Sequence, residues 1–105
     1  MPVKRVGPDG ACHLLARGET DLVDVRELKE WLGGRIPGAR HVPLSRFLAD
    51  PRAHCSRDGI LFVCAHGLRS LQAAAVAQSA GFDVVYSLDG GLVAWAAQGF
   101  PVERG

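Results

Sequence analysis

The chain has almost no surplus charge of either sign. Its 105 residues include twelve Lys or Arg and eleven Asp or Glu, a net charge of +1 at pH 7. So small a balance leaves no electrostatic footprint for nucleic acid. Ten of the twelve cations are arginines, scattered rather than massed, and they read as a solvated surface. Cysteine is also scarce. Cys12, Cys55 and Cys64 are odd in number and far apart, which argues against a disulfide framework and for a reducing compartment. The neighbours Cys12–His13, His54–Cys55 and Cys64–Ala65–His66 lack any C-x2-C or H-x3-H spacing, so no zinc site is expected. No apolar run approaches the roughly 20 residues of a membrane-spanning helix, and "MPVKRVGPDG" has no apolar core of a signal peptide. Internal repeats and low-complexity segments are absent. These absences predict a cytoplasmic protein with no nucleic-acid or membrane partner. A hydrophobic share of 48% and a charged share of 22% are ordinary for a soluble domain. The length suits one core and one domain spanning residues 1–105.

Short apolar runs alternate with helical spacing along the chain. "VKRV" (3–6) reads as an edge strand, "GPDG" as a turn, and "ACHLLARG" as a short helix closed by Gly18. "DLVDV" (21–25) reads as a strand. "ELKEWLGG" places Leu28, Trp31 and Leu32 on one helical side and stops at Gly33–Gly34. "RIPGARHVP" is a turn followed by a short extended piece, "LSRFLAD" a short helix, and "HCSRDG" a polar connection. "ILFVC" (60–64) is a wholly apolar strand, as suits a parallel strand covered on both faces. "SLQAAAVAQSAG" is an alanine-rich helix that opens at Ser70 and closes at Gly81. "DVVYSL" is a strand, "DGG" a turn permitted by Gly90–Gly91, and "LVAWAAQG" a final helix. Trp31 and Trp95 share helical spacing with apolar residues and are expected in the core. The alternation predicts an α/β fold, a mostly parallel sheet with helices on both faces. Ligands of such sheets bind beyond the carboxyl ends of the strands, where Cys64 stands.

A thiol at a strand-to-helix corner has specific chemistry open to it. The thiolate is the nucleophile, and a free cysteine has a pKa of about 8.5. A helix N-terminus offers unpaired N–H groups and a positive dipole end. If Ala65 to Arg69 curl around the sulfur, their amides form an anion-binding nest, and Gly67 supplies the freedom to curl. Arg69 adds a planar cation suited to an incoming oxyanion. The helix opening near Ser70 adds its dipole. A buried, inert cysteine is the common fate of a lone Cys. Cys, Gly, Arg and Ser together at such a corner point instead to nucleophilic transfer on a small anionic substrate.

"CAHGLRS" resembles the active-site loop of rhodanese-like sulfurtransferases, C-x-x-G-x-R-S. "LVDVRELKEWLGGRIPGARHVPL" is similar to the D-V-R … G-H-I-P-G-A motif of that family, and "DGGLVAWAAQGFPV" to its L-x-G-G-x-x-x-W-x-x-x-G-x-P-V ending. The three motifs occur in order over nearly the whole chain. The departure is Arg35, where the family usually has His. The resemblance implies a five-stranded, mostly parallel sheet flanked by helices. It also implies a two-step reaction: Cys64 takes the outer sulfur of a donor such as thiosulfate as a persulfide, then passes it to cyanide or a thiol, small or borne by a protein. That reaction needs no metal or organic cofactor, because the persulfide carries the transferred group.

Two other functions fit parts of the pattern. Cys-dependent phosphatases and arsenate reductases have one residue more between Cys and Arg, so a ring closed by four residues suits sulfur better than phosphate. A catalytically idle rhodanese-like binding module usually lacks the loop cysteine, which this chain keeps. Asp24 and Arg26 flank Val25 at the end of a strand. They either brace the loop and pair with a nearby carboxylate, or form an ion pair that fixes the turn. His66 is expected at the rim, either as a plain rim residue or, when protonated, as a group that steers an anion. Leu68 is an apolar rim residue for a partner protein. Arg35 is either a second anion contact at the mouth or a surface cation. Cys12 and Cys55 read as packing or surface thiols, with a resolving role open to either one near Cys64.

Overall fold

The computed structural model describes residues 3–105; Met1 and Pro2, with the leader reading and the domain boundary that touch them, lie outside the described residues. Five strands run parallel in one sheet: β1 Lys4–Val6, β2 Asp21–Asp24, β3 Arg40–His41, β4 Ile60–Val63 and β5 Val85–Leu88, in the order β1-β5-β4-β2-β3. Six helices intervene: α1 Pro8–Ala16, α2 Leu28–Gly33, α3 Leu44–Ala49, α4 Pro51–His54, α5 Leu68–Ser79 and α6 Gly91–Ala97.

β4 is the central strand, and all four of its side chains are fully buried. Alternation along it feeds two cores. Ile60 and Phe62 pack with Phe47 of α3 and with Ala73, Ala74 and Ala77 of α5; Leu61 and Val63 pack with Ala11 of α1 and Trp95 of α6. Both faces are covered, which is why the run carries no polar position. The small alanines let α5 lie close on the sheet, and all three are without exposed surface.

Chain direction creates the site. β2 leads outward to β3, while β4 leads the opposite way to β5, yet β2 and β4 are neighbours. Their carboxyl ends therefore flank a crevice at the point where the winding reverses, the position at which ligands of open parallel sheets bind. Asp24 is paired in register with Val63, and Cys64 follows immediately.

Several local expectations change. "GPDG" is not a turn: Pro8 opens α1, where its fixed φ and missing N–H are tolerated. Residues 51–54 form the short helix α4, started by Pro51, and His54, the first residue of the expected polar connection, closes it. α5 begins at Leu68, two residues before the Ser70 start, because Gly67 adopts φ +99° and turns the chain at once into the helix. β5 starts only at Val85. The amides of Asp83 and Val84 are taken by the Asp58 carboxylate (2.8 and 3.2 Å), while the Val84 carbonyl accepts from Gly59 and Ile60. Trp31 is not in the core. It is half-buried, stacked on His41 at 4.8 Å with the Arg35 guanidinium at 4.7 Å.

Asp24 and Arg26, 1% and 4% exposed, form a buried pair. The Asp24 carboxylate accepts from Arg26 Nε (3.0 and 3.1 Å), Nη2 (2.9 Å) and the Arg26 amide (2.9 Å). Arg26 Nη2 also donates to the Gly34 carbonyl, and the Arg26 carbonyl accepts from His41 Nε2 at 2.7 Å. The pair thus ties the end of β2 to both ends of the α2 excursion, and its side chains bond each other and the turn rather than residues 64–70. Removing one member leaves the other charge buried without compensation. Asp24→Ala is therefore expected to cost about 3–5 kcal/mol of unfolding free energy, read as a lower urea midpoint. A loss below about 1 kcal/mol, the scale of an exposed ion pair, would show that Asp24 does not hold the turn.

Candidate active site

Cys64 leaves β4 at the crevice with its side chain buried, 1% exposed. The chain then turns through Ala65, His66 and Gly67 into α5. That turn aims donors at the sulfur: the Gly67 amide lies 3.1 Å and the Ser70 amide 3.3 Å from Cys64 Sγ, and Ser70 Oγ lies 3.5 Å away. The loop also leans on the start of α6, where the Leu92 amide donates to the Cys64 carbonyl (2.8 Å) and the Val93 amide to that of Ala65 (3.1 Å). With its own carbonyls held from outside, the loop is free to present its amides inward.

Two glycines make this geometry possible. Gly67 has φ +99°, and a Cβ there would press on the Gly90 amide and the Leu88 carbonyl at 3.2 and 3.3 Å. Gly91 has φ +60°, and a Cβ there would collide with the carbonyl oxygens of Cys64 and Ala65. Gly90–Gly91 thus do more than permit a turn: they let α6 approach the sulfur loop at backbone distance.

Burial pushes the Cys64 thiol up, but the Ser70 hydroxyl and the amides of Ser70, Gly67 and His66 outweigh it, so the net shift is downward. The donors favour the charged form. Cys55 shows the opposite balance: it is also buried, and desolvation with the nearby Asp21 raises it despite Arg40. Burial is common to both residues, and the ring of donors belongs to Cys64 alone.

Arg69 is the chief departure from the expected arrangement. Its guanidinium is engaged by Glu30 of α2 in a two-point pair of 2.7 and 2.8 Å, rather than standing free as a clamp. Glu30 also accepts from the Glu27 amide at 3.0 Å, closing a capping box at the start of α2. The side-chain hydrogen bond from Arg69 is the largest influence on Glu30 and holds its carboxyl down at about 2; Arg69 is raised in return. The "E-x-x-E" spacing of Glu27 and Glu30 announces the cap, but nothing local announces a partner 39 residues on.

The remaining candidates separate. Ser70 is fully buried against the sulfur. His66 is exposed at the rim, and Leu68 stands out at 79% exposed. Arg35 is drawn away to the C-terminal segment. It pairs with Glu103 (3.4 Å), donates to the carbonyls of Gly105 and Trp31 (2.8 and 3.2 Å) and exchanges backbone hydrogen bonds with Glu103. That network occupies the side chain that would otherwise serve as an anion contact. Beside the site, Lys29 and Glu30, Leu92 and Val93, and Val102 and Arg104 line a groove of about 380 Å³. Among the described residues, no three His, Cys, Asp or Glu side chains gather as a metal site requires, and no helix is long and apolar enough to cross a membrane.

Comparison with known proteins bears on this arrangement. The family model for the rhodanese-like domain matches residues 8–98. A curated protein named thiosulfate sulfurtransferase GlpE, from Ectopseudomonas mendocina, is 41% identical over 101 residues, covering 95% of this chain and 90% of that one. The solution structure of a rhodanese-like domain from Anabaena sp. superposes with a TM-score of 0.85 at 29% identity, over 100% of this chain and 81% of that one. A structure from Rhodopseudomonas palustris, described as a protein of unknown function and possible tyrosine phosphatase, superposes with a TM-score of 0.82 at 29% identity, over 96% and 85% of the two chains.

The Glu30–Arg69 pair has a pH signature. Glu30 titrates at about 2 when folded against an ordinary value of 4.5. Its contribution to stability is therefore full above the ordinary value and is lost as pH falls toward the folded one. The stability gap between wild type and Glu30→Gln, from urea unfolding, is expected to narrow steadily from about pH 6 to about pH 3. A gap independent of pH would contradict the pairing.

Proposed function

This chain belongs to the rhodanese-like domain family, and from that premise we propose that it is a sulfurtransferase that carries sulfane sulfur on Cys64. The observation that carries the reading is the aim of the loop amides: Gly67 and Ser70 point at the sulfur itself, at 3.1 and 3.3 Å. A loop built for a phosphoryl group would need its donors around a tetrahedral anion standing off the sulfur. With four residues between Cys64 and Arg69, the ring closes on one sulfur atom.

The steps follow from that geometry. The Cys64 thiolate attacks the outer sulfur of thiosulfate with its lone pair. The S–S bond of thiosulfate breaks, and its electron pair leaves with sulfite. Cys64 is then a persulfide, Cys64–S–S⁻, whose charge sits on the added sulfur within reach of the loop donors. A disulfide-type bond is about 2 Å long, so the added atom extends outward from a buried cysteine and becomes the accessible one. Cyanide or a thiolate next attacks that outer sulfur. The bond to Cys64 breaks, its electron pair returns to Sγ, and thiocyanate or a new persulfide departs. No proton need be exchanged with Cys64 in either step, which is why a thiolate held down by fixed donors is sufficient.

The same reading extends to setting. Free cysteines at positions 12, 55 and 64 suit a reducing, cytoplasmic environment. The donor is small and anionic, thiosulfate being the reagent of choice for assay. The exposed Leu68 beside the loop suits an acceptor thiol on a protein as well as a small one.

Incubation with thiosulfate is expected to add about 32 Da, one sulfur atom, to the Cys64 peptide, and Cys64→Ser should abolish both the mass gain and thiocyanate formation. No mass gain in the wild-type protein would leave an idle binding module. Hydrolysis of a phosphate ester faster than sulfur transfer would favour the phosphatase alternative.

A further inference from the structure

Ser87 is a buried polar residue that the reaction above leaves without a role. It lies on β5, 1% exposed, on the same side of its strand as Val85 and facing the core beneath α5. Its hydroxyl is 2.8 Å from Ser70 Oγ, its hydrogen-bond partner among the described residues, and Ser70 Oγ is 3.5 Å from Cys64 Sγ. Three side chains from β5, α5 and the end of β4 thus form a chain that ends on the reacting atom.

A hydroxyl has one proton and two lone pairs. Ser70 Oγ stands between Ser87 and the sulfur and has one proton to give. If Ser87 donates to Ser70, the Ser70 proton is left for Cys64, as a thiolate requires. While Cys64 keeps its proton, the chain runs the other way, from S–H to Ser70 to Ser87. Rotation of two hydroxyls interconverts these arrangements, with no movement of heavy atoms. Polarisation along such a chain strengthens its last bond.

We propose that Ser87 is a positioning residue for sulfur transfer, acting through Ser70 to commit the Ser70 hydroxyl proton to the Cys64 thiolate. This rests on Cys64 as the sulfur carrier and adds a second layer to that site. The charged groups around the sulfur are each paired or exposed. Asp24 and Arg26, at the end of β2, bond each other. β4 has no charged residue, and the only one on α5 is Arg69, which feels the thiolate while bound to Glu30. His66 lies exposed on the loop. Arg5, opposite Ser87 in the β1 register, is paired with Asp89 at 2.8 Å in an exposed bridge. Ser87 acts from inside, where no solvent competes for its proton.

The test reads the thiolate directly and needs no sulfur transfer, so its failure is distinguishable from failure of the sulfurtransferase reading. Iodoacetamide alkylation of Cys64 is followed against pH by mass spectrometry of the Cys64 peptide, which separates it from Cys12 and Cys55. In Ser87→Ala the profile is expected to move to higher pH, and the rate at neutral pH to fall roughly threefold, the scale of one weakened hydrogen bond. Ser87→Thr, which keeps the hydroxyl, is expected to restore most of the rate. In a Ser70→Ala background, Ser87→Ala should produce no further shift. A wild-type profile in Ser87→Ala would overturn the proposal. So would an equal shift with and without Ser70, which would mean that Ser87 acts through packing and not through the relay.

Discussion

The structure depends on a small set of hydrogen bonds to one sulfur atom. Two backbone amides and a hydroxyl converge on Cys64 Sγ, and much of the surrounding architecture keeps them there. β4 is buried on both faces so that its end is fixed. Gly67 turns the chain within one residue. α6 takes up the carbonyls of Cys64 and Ala65, an approach open only because Gly91 has no side chain. A buried thiol is ordinarily harder to ionise. Here burial removes competing water from donors already in place, and the net shift is downward, toward easier ionisation.

Arg69 does not act on the sulfur alone, for it feels both the Cys64 thiolate and Glu30. It closes the loop in sequence, but its guanidinium is shared with Glu30, and the pair carries no net charge. A free arginine would favour any dianion, phosphate and arsenate included. A paired one leaves recognition to the short-range amides, which a single sulfur atom satisfies. The bridge also joins α2 to α5, the helices that follow the two strands flanking the crevice, so one ion pair helps fix the site's width. Asp24 and Arg26 serve a comparable end at the base of the same crevice, where burial makes the pair costly to break rather than intrinsically strong.

The fold and the loop were largely legible in the sequence because their determinants are local. "ILFVC" suits a doubly covered strand in an α/β chain, and "CAHGLRS" carries its turn, its donors and its helix start within seven residues. What could not be read are the partners brought together by topology. Glu30 looks like a helix cap, and its second partner lies 39 residues away on another helix. Ser87 looks like a strand residue with no assigned face. Arg35 stands where the family usually has a histidine, and only the course of the last residues shows that it holds Glu103 and Gly105. The misplaced boundaries have a similar origin. Pro8 and Pro51 look like breakers, yet each sits at the first position of a helix, where proline is favoured. Trp31 has core spacing, but α2 is too short to bury it, and it stacks on His41 instead.

Donors aimed at the sulfur favour the Cys64 thiolate and lower its pKa. The most direct measurement is the pH titration of thiolate ultraviolet absorbance, taken as the difference between the wild-type protein and Cys64→Ser so that Cys12 and Cys55 cancel. The Cys64 midpoint is expected below that of a free thiol, about 8.5. A midpoint at or above that value would show that burial outweighs the loop donors and that the fold does not activate this thiol.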